Sequence, residues 1–287
     1  MTNSTDRGAS WGAVVDVQKT LRNKPAFNSS GCMAPTNGHA TQLAQSGPHP
    51  GRLLFSGQTD SYNGSIGLFS DNHGISWDWT DSLHVPGMDE CAMAQLPNGS
   101  VMAIMRNCPT NLHGHCQGRR RLLSDERQQG APGSKRFAYA ISTDGGTTFD
   151  QIRLHPDLVT PVCQGSLLGY KDMVLFAGPF SEVSRTNLSV LASYDNGRTF
   201  SKSLILDPGP AGYTGLQCGL PEPLDCAILY DDERGSGNKF NPNDHGLLVF
   251  RRFASAALKS DDPLHDARSA PDPTHAHAQR TQPSIRE

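Results

Sequence analysis

Glu90, Arg106, Arg185, Tyr213 and Asp231 are the side chains whose types and placement could do chemistry together. Guanidinium forks bind carboxylates through two parallel bonds, and carboxylates and phenols are groups that move protons. Taken singly, each of the five is better explained by a rim ion pair or a solvated side chain. The case for a site rests on their convergence, because the strand pattern brings all five to one face. A second cluster, Cys108-Pro-Thr-Asn-Leu-His-Gly-His-Cys116, holds thiols and imidazoles at a spacing that matches no familiar zinc pattern, so no metal or other cofactor is expected. The seven cysteines (Cys32, Cys91, Cys108, Cys116, Cys163, Cys218 and Cys226) are odd in number and irregularly spaced, which predicts mainly free or buried thiols.

The elements that must position these groups are short hairpins. The alternating runs Cys91–Leu96 and Val101–Met105 flank Pro97-Asn-Gly-Ser100, and Asn98-Gly99 predicts a two-residue type I′ turn. That turn pairs residue 91 with 106 and 90 with 107, so Glu90 and Arg106 meet where the strands begin and end. The layout recurs at residues 39–43 with 52–56, 166–170 with 173–177, and 216–220 with 226–230. Arg185 stands at the start of a further strand, 186–194. Tyr213 precedes the first strand of the last unit, and Asp231 ends its second.

Between the hairpins lies a repeat, Ser-x-Asp/Asn-x-Gly-x-Ser/Thr-aromatic. It occurs at Ser4–Trp11, Ser70–Trp77, Ser142–Phe149 and Ser193–Phe200, with Asp6, Asn72, Asp144 and Asp195 at the acidic position. The side chain at that position is expected to accept from backbone N–H groups two residues on, and Gly to supply a positive φ. The aromatic residue should pack beneath the turn. Four strands per unit, in units of about 50 to 70 residues, read as propeller blades. The blades are expected near 38–80, 90–150, 162–203 and 213–258, with residues 4–17 as the end of an earlier one. In such a meander the repeats mark one end and the five polar residues the other, so the repeat has a structural role. Residues 259–287 are poor in large apolar side chains and read as a disordered tail after a 1–258 propeller.

Composition narrows the classes. With 287 residues, Gly 29 and Pro 20, the chain has room for a large all-β core joined by many turns. A net charge of -3 offers no basic field for nucleic acid. No apolar run reaches the roughly 20 residues that span a bilayer, and the N-terminus shows no apolar signal region. Sequons beginning at Asn3, Asn28, Asn63, Asn98 and Asn187 permit a glycosylated protein.

The repeat resembles the Asp-box of sialidases. Together with Gly47-Pro-His-Pro-Gly-Arg-Leu-Leu54, Asp89-Glu-Cys91, Leu96-Pro-Asn-Gly-Ser-Val101, Arg106-Asn107 and Gly209-Pro-Ala-Gly-Tyr213, it makes residues 4–255 similar to an exo-α-sialidase, nearest the lysosomal type of animals. The resemblance implies a six-bladed propeller, here an incomplete ring of about four blades. It implies removal of terminal sialic acid from glycoproteins, glycolipids and oligosaccharides, with a lysosomal or secreted location. Family roles then fall on Tyr213 as nucleophile, Glu90 as its base, and Arg106 and Arg185 as two members of a carboxylate-binding arginine triad. Retention of configuration through a tyrosyl-linked intermediate is the implied outcome.

Three departures accompany the resemblance. The family's first arginine, in a Tyr/Phe-Arg-Ile-Pro motif, is absent, and so is its aspartic acid/base. Both absences are what loss of about two N-terminal blades would produce, and they predict a chain with little activity alone. The glutamate that steadies the first arginine is replaced by Asp231 or displaced to Glu233. The alternative is a catalytically inactive, lectin-like sialoside binder, which needs the arginines but not the Tyr213–Glu90 pair. An Asp-box propeller of another class would need neither.

Overall fold

The computed structural model describes residues 2–21, 33–36, 40–45, 47–59, 64–80, 82–83, 88–107, 135–232 and 247–258. The expected tail 259–287, the Cys108–Cys116 stretch and Glu233 lie outside the described residues. The strands are β1 (Met33–Pro35), β2 (Thr41–Gln42), β3 (Leu53–Thr59), β4 (Ser65–Ser70), β5 (Asp78–Thr80), β6 (Met88–Gln95), β7 (Val101–Asn107) and β8 (Arg136–Ser142). They continue as β9 (Arg153–Val159), β10 (Ser166–Tyr170), β11 (Met173–Pro179), β12 (Thr186–Ser193), β13 (Lys202–Pro210), β14 (Thr214–Cys218), β15 (Cys226–Asp232) and β16 (Leu247–Phe253). Two short 3-10 turns, Val17–Thr20 and Ser255–Leu258, are the helical segments among the described residues.

The strands form four antiparallel meanders in a propeller arrangement. Their orders are β1-β3-β4-β5 with β2 also on β3, β6-β7-β8-β9, β10-β11-β12-β13, and β14-β15-β16. The first inner strand is therefore split, which starts that sheet at Met33 rather than near residue 38. The outer strands β9 and β13 run further than the sequence suggests, to Val159 and Pro210. Middle strands are covered on both faces by neighbouring sheets, and so β4 and β11 are buried along their whole length. The core consists of layers between successive sheets. Leu54, Met93, Val101 and Ala138 fill one, Ile104, Phe137, Leu167 and Phe176 the next, and Leu175, Val190, Ile228 and Tyr230 a third. Inner strands approach closely: a Cβ on Gly169 of β10 would stand 2.0 Å from the Gln95 carbonyl oxygen of β6.

The repeats are the β4–β5, β8–β9 and β12–β13 turns, plus one before the first sheet. Each uses two successive left-handed residues, such as Asn196 (φ 60) and Gly197 (φ 75). The acidic side chain reaches four residues on, not two. Asp144 Oδ1 accepts from Thr147 N at 3.1 Å and Thr148 N at 2.9 Å, and Oδ2 from the Thr148 hydroxyl at 2.7 Å. The leading serine makes a second link of the same span, Ser142 Oγ accepting from Gly146 N at 2.7 Å. Trp77, Phe149 and Phe200 pack beneath their turns as expected, whereas Trp11 of the first repeat is 65% exposed. No sheet lies under that repeat among the described residues, so its ring has nothing to cover it.

The repeats also join sheets. Arg52, 2% exposed and paired with Asp71 at 2.7 Å, donates to the Gly145 carbonyl at 3.1 Å and to Thr147 Oγ1 at 2.7 Å. His155 Nε2 donates to the Gly197 carbonyl at 3.0 Å, while Asp157 N donates to His155 Nδ1 at 3.1 Å. The imidazole is therefore neutral, and burial lowers its pKa. Asp144→Ala removes a carboxylate that ties one such turn together. A loss of about 2 kcal/mol in urea unfolding is expected, with ligand affinity at the opposite end unchanged.

The cysteine expectation needs one correction. Cys218 and Cys226 face each other across β14 and β15 and form a disulfide. An odd, irregular set hides such a pair because only the hairpin register brings the two together. Cys91 and Cys163 are free and buried, as expected.

Candidate active site

Sheet polarity sorts the ends. The repeat turns follow the ends of β4, β8 and β12, whereas Arg185 precedes β12 and Tyr213 precedes β14. The repeats and the polar residues thus occupy opposite sheet ends. A cavity of about 340 Å³ at the repeat end is lined by Gln42, Gln95, Gln217, Tyr170 and Lys171. It lies away from the five polar residues.

The β6–β7 hairpin departs from the expected register in two places. Its loop holds three residues, Pro97-Asn98-Gly99, closed by Leu96 N donating to the Ser100 carbonyl at 2.8 Å, with Gly99 at φ 87. Gln95 therefore pairs with Val101 and Cys91 with Met105, not with 106. A bulge then shifts the register before Met88, which pairs with Asn107. Two consecutive residues, Asp89 and Glu90, consequently face the single Arg106. The sequence reading missed Asp89 as a member of the site. Its one signal is the acidic dipeptide next to a strand end, where alternation would send one of the two outward.

Arg106 is buried between both carboxylates. Its Nε and Nη2 donate to Asp89 Oδ1 and Oδ2 at 2.8 and 2.6 Å. Nη1 lies 2.8 Å from Glu90 Oε2, at an angle that makes a charge contact rather than a directed hydrogen bond. It also donates to the Tyr213 hydroxyl at 3.3 Å. The Tyr213 hydroxyl donates in turn to Glu90 Oε1 at 2.7 Å. Burial raises the Glu90 pKa above its ordinary 4.5, against the pull of Arg106. Burial, then the Glu90 charge, pushes the Tyr213 phenol up as well. At rest the phenol is neutral and its proton lies on the line to Glu90. For Arg106 burial opposes the charge, but the bonds to Asp89 outweigh it and hold the guanidinium protonated.

Arg185 stacks over the Tyr213 ring, 5.2 Å from its centre, and Nη2 reaches the Val162 carbonyl at 3.4 Å. Val162 sits at φ 63, a costly conformation for a β-branched residue. Asp231, half-buried, has a pKa raised by burial and pulled down by Arg185. Its main chain holds the start of the last sheet, Asp231 N donating to the Tyr213 carbonyl at 3.1 Å. The residue after Tyr213 is anchored to the neighbouring sheet by Gln164, a buried side chain that the sequence reading also missed. Gln164 Oε1 accepts from Thr214 N at 2.9 Å and Nε2 donates to the Thr214 carbonyl at 3.2 Å, as a strand would. All five predicted side chains therefore lie at one end, and Glu90, Arg106 and Tyr213 touch. Among the described residues no group of His, Cys, Asp and Glu is placed to hold a metal, and no helix is long and apolar enough to cross a membrane.

No family model matches the sequence. It is similar to the sialidase of Micromonospora viridifaciens, 26% identical over 253 residues, covering 84% of this chain and 34% of that protein. It is also similar to an exo-alpha-sialidase of Arthroderma benhamiae, 27% identical over 270 residues, covering 88% of this chain and 54% of the relative. The chain thus spans between about a third and a half of these relatives' lengths. Its fold is that of the leech intramolecular trans-sialidase, with a TM-score of 0.66 at 21% identity, over 90% of this chain and 36% of that one. In sequence the chain is similar to these two sialidases, and its fold is the propeller of the solved trans-sialidase.

Proposed function

We propose that this chain carries the nucleophile, base and two arginines of a retaining exo-α-sialidase acting on terminal sialic acid of sialylated glycans. The observation that supports it most is the 2.7 Å bond from the Tyr213 hydroxyl to Glu90, with Arg106 set against both. Sialic acid carries a carboxylate on its anomeric carbon. A carboxylate nucleophile would be repelled by it, whereas a neutral phenol is not. Arg106 and Arg185 bind that substrate carboxylate. Tyr213 Oη attacks the anomeric carbon as its proton passes to Glu90, and the glycosidic oxygen departs with the bonding pair. Water then attacks the same carbon from the vacated side and releases one proton to solvent, which balances the proton the departed oxygen takes from solvent; the phenolate leaves, and Glu90 returns the proton to Tyr213.

Glu90 must be ionised to accept the proton. Because its pKa is raised above 4.5, turnover should fall as pH drops through a value above that number. A rate profile still flat below pH 4.5 would contradict this assignment of the base. The overall test uses the 287-residue chain and an upstream-extended form, with an aryl sialoside and sialyl-lactose. Release from the aryl sialoside is expected from the chain, since its leaving group needs little protonation. Release from sialyl-lactose is expected only from the extended form, where an added acid is worth about 10²–10⁴-fold. Binding of sialyl-lactose without release from either substrate, in either form, would favour the sialoside-binding alternative.

A further inference from the structure

We propose that Asp89 is a positioning residue for this site: it holds Arg106 by one edge and, as a second buried negative charge, keeps Glu90 a proton acceptor. The inference rests on the sialidase reading for its meaning, though not for its test.

The β6 bulge puts Asp89 and Glu90 on the same side of the strand, opposite one guanidinium. Asp89 is fully buried and saturated. Its carboxylate takes the Nε and Nη2 bonds of Arg106, and Glu90 N donates to Asp89 Oδ1 at 2.8 Å. Ser65 Oγ of β4 donates to the Asp89 carbonyl, which fixes the bulge from the neighbouring sheet. Arg106 is thereby locked with Nη1 toward Glu90 and Tyr213. An arginine facing Glu90 alone would turn to grip it through two bonds, and a carboxylate gripped that way is a poor base. Asp89 takes that grip instead.

The charged and titratable groups facing Glu90 are few. Among the described residues Asp89 lies on its own strand, Arg106 on β7, Tyr213 before β14 and Arg185 before β12, while β2, β3 and β4 bring none and Tyr170 of β10 lies at the repeat end. Burial raises the Glu90 pKa most, the Asp89 charge raises it further, and Arg106 and Arg185 pull it down. Removing the Asp89 charge, and so freeing Arg106 to turn toward Glu90, act in the same direction. Both lower the Glu90 pKa.

The test is a carbon-13 carboxyl titration of glutamate-labelled protein by NMR, with the Glu90 resonance assigned by its loss in Glu90→Gln. In Asp89→Asn the Glu90 midpoint should fall by about one pH unit. Ser65→Ala, which loosens the bulge but keeps the charge, should leave it in place. If Asp89→Asn does not fold, the smaller Asp89→Ser carries the same expectation. In an active form the acid limb of aryl sialoside turnover should move down with the midpoint, and KM should rise about tenfold as Arg106 loses its orientation. An unchanged or higher Glu90 midpoint in the Asp89 variants would overturn the proposal even if turnover were normal. Absence of turnover in the unsubstituted protein would instead count against the sialidase reading, and the titration would still decide the role of Asp89.

Discussion

Tyr213→Phe is expected to lower turnover of an aryl sialoside by on the order of 10³-fold or more while leaving the fold intact. Loss of a nucleophile forfeits the covalent route, and what remains is binding plus electrostatic stabilisation. The substitution removes one hydroxyl, with its 2.7 Å bond to Glu90 and 3.3 Å bond from Arg106. The ring stays under Arg185. Affinity for free sialic acid, measured by calorimetry, should therefore change by less than tenfold. A large loss of affinity with modest loss of rate would make Tyr213 a binding residue and not the nucleophile.

Arg106→Met is the second large effect, and it should appear in stability before activity. Asp89 and Glu90 are both buried and adjacent, and Arg106 is the counter-ion they share. Breaking a buried pair by removing one partner costs about 3–5 kcal/mol, which for a chain of this size is roughly a 10 °C fall in Tm. The cost should shrink at low pH. A carboxylate whose folded pKa is raised, as Glu90's is, contributes stability that is present below its ordinary 4.5 and lost as pH rises through the folded value. Without the guanidinium that folded value rises further and the window widens. Melting curves at pH 5 and pH 8 measure this. An equal Tm loss at both would show that the lost contribution is packing, not charge.

Much of this arrangement is legible in the residues. The repeated turns announce sheets of similar plan, and strand counting alone puts Glu90, Arg106, Arg185, Tyr213 and Asp231 at the end away from them. What is not legible is instructive. Asn98-Gly99 reads as a two-residue turn, yet Pro97 joins the loop and moves the register by one. That shift sets Glu90 opposite Arg106 rather than one residue away, and the bulge at Asp89 moves the register once more. Two local events that alternation cannot reveal thus shift the register in the same direction. The second leaves a trace, since it brings Asp89 into the site. The Cys218–Cys226 disulfide depends on the same kind of register information. Gln164 was unreadable for another reason: its amide stands in for a strand, and any buried glutamine looks the same in a sequence. The strained Val162 likewise has no signature in residue type.

The central claim is that Tyr213 forms a covalent bond to the sugar, and trapping tests it most directly. The protein is incubated with a fluorinated sialoside whose glycosyl-enzyme intermediate breaks down slowly, then digested and read by mass spectrometry. The account predicts one sialyl adduct, on the peptide containing Gly212-Tyr213-Thr214, absent in Tyr213→Phe and reduced in Glu90→Gln. An adduct on any other residue, or continued turnover of the aryl sialoside with no adduct at Tyr213, would contradict it.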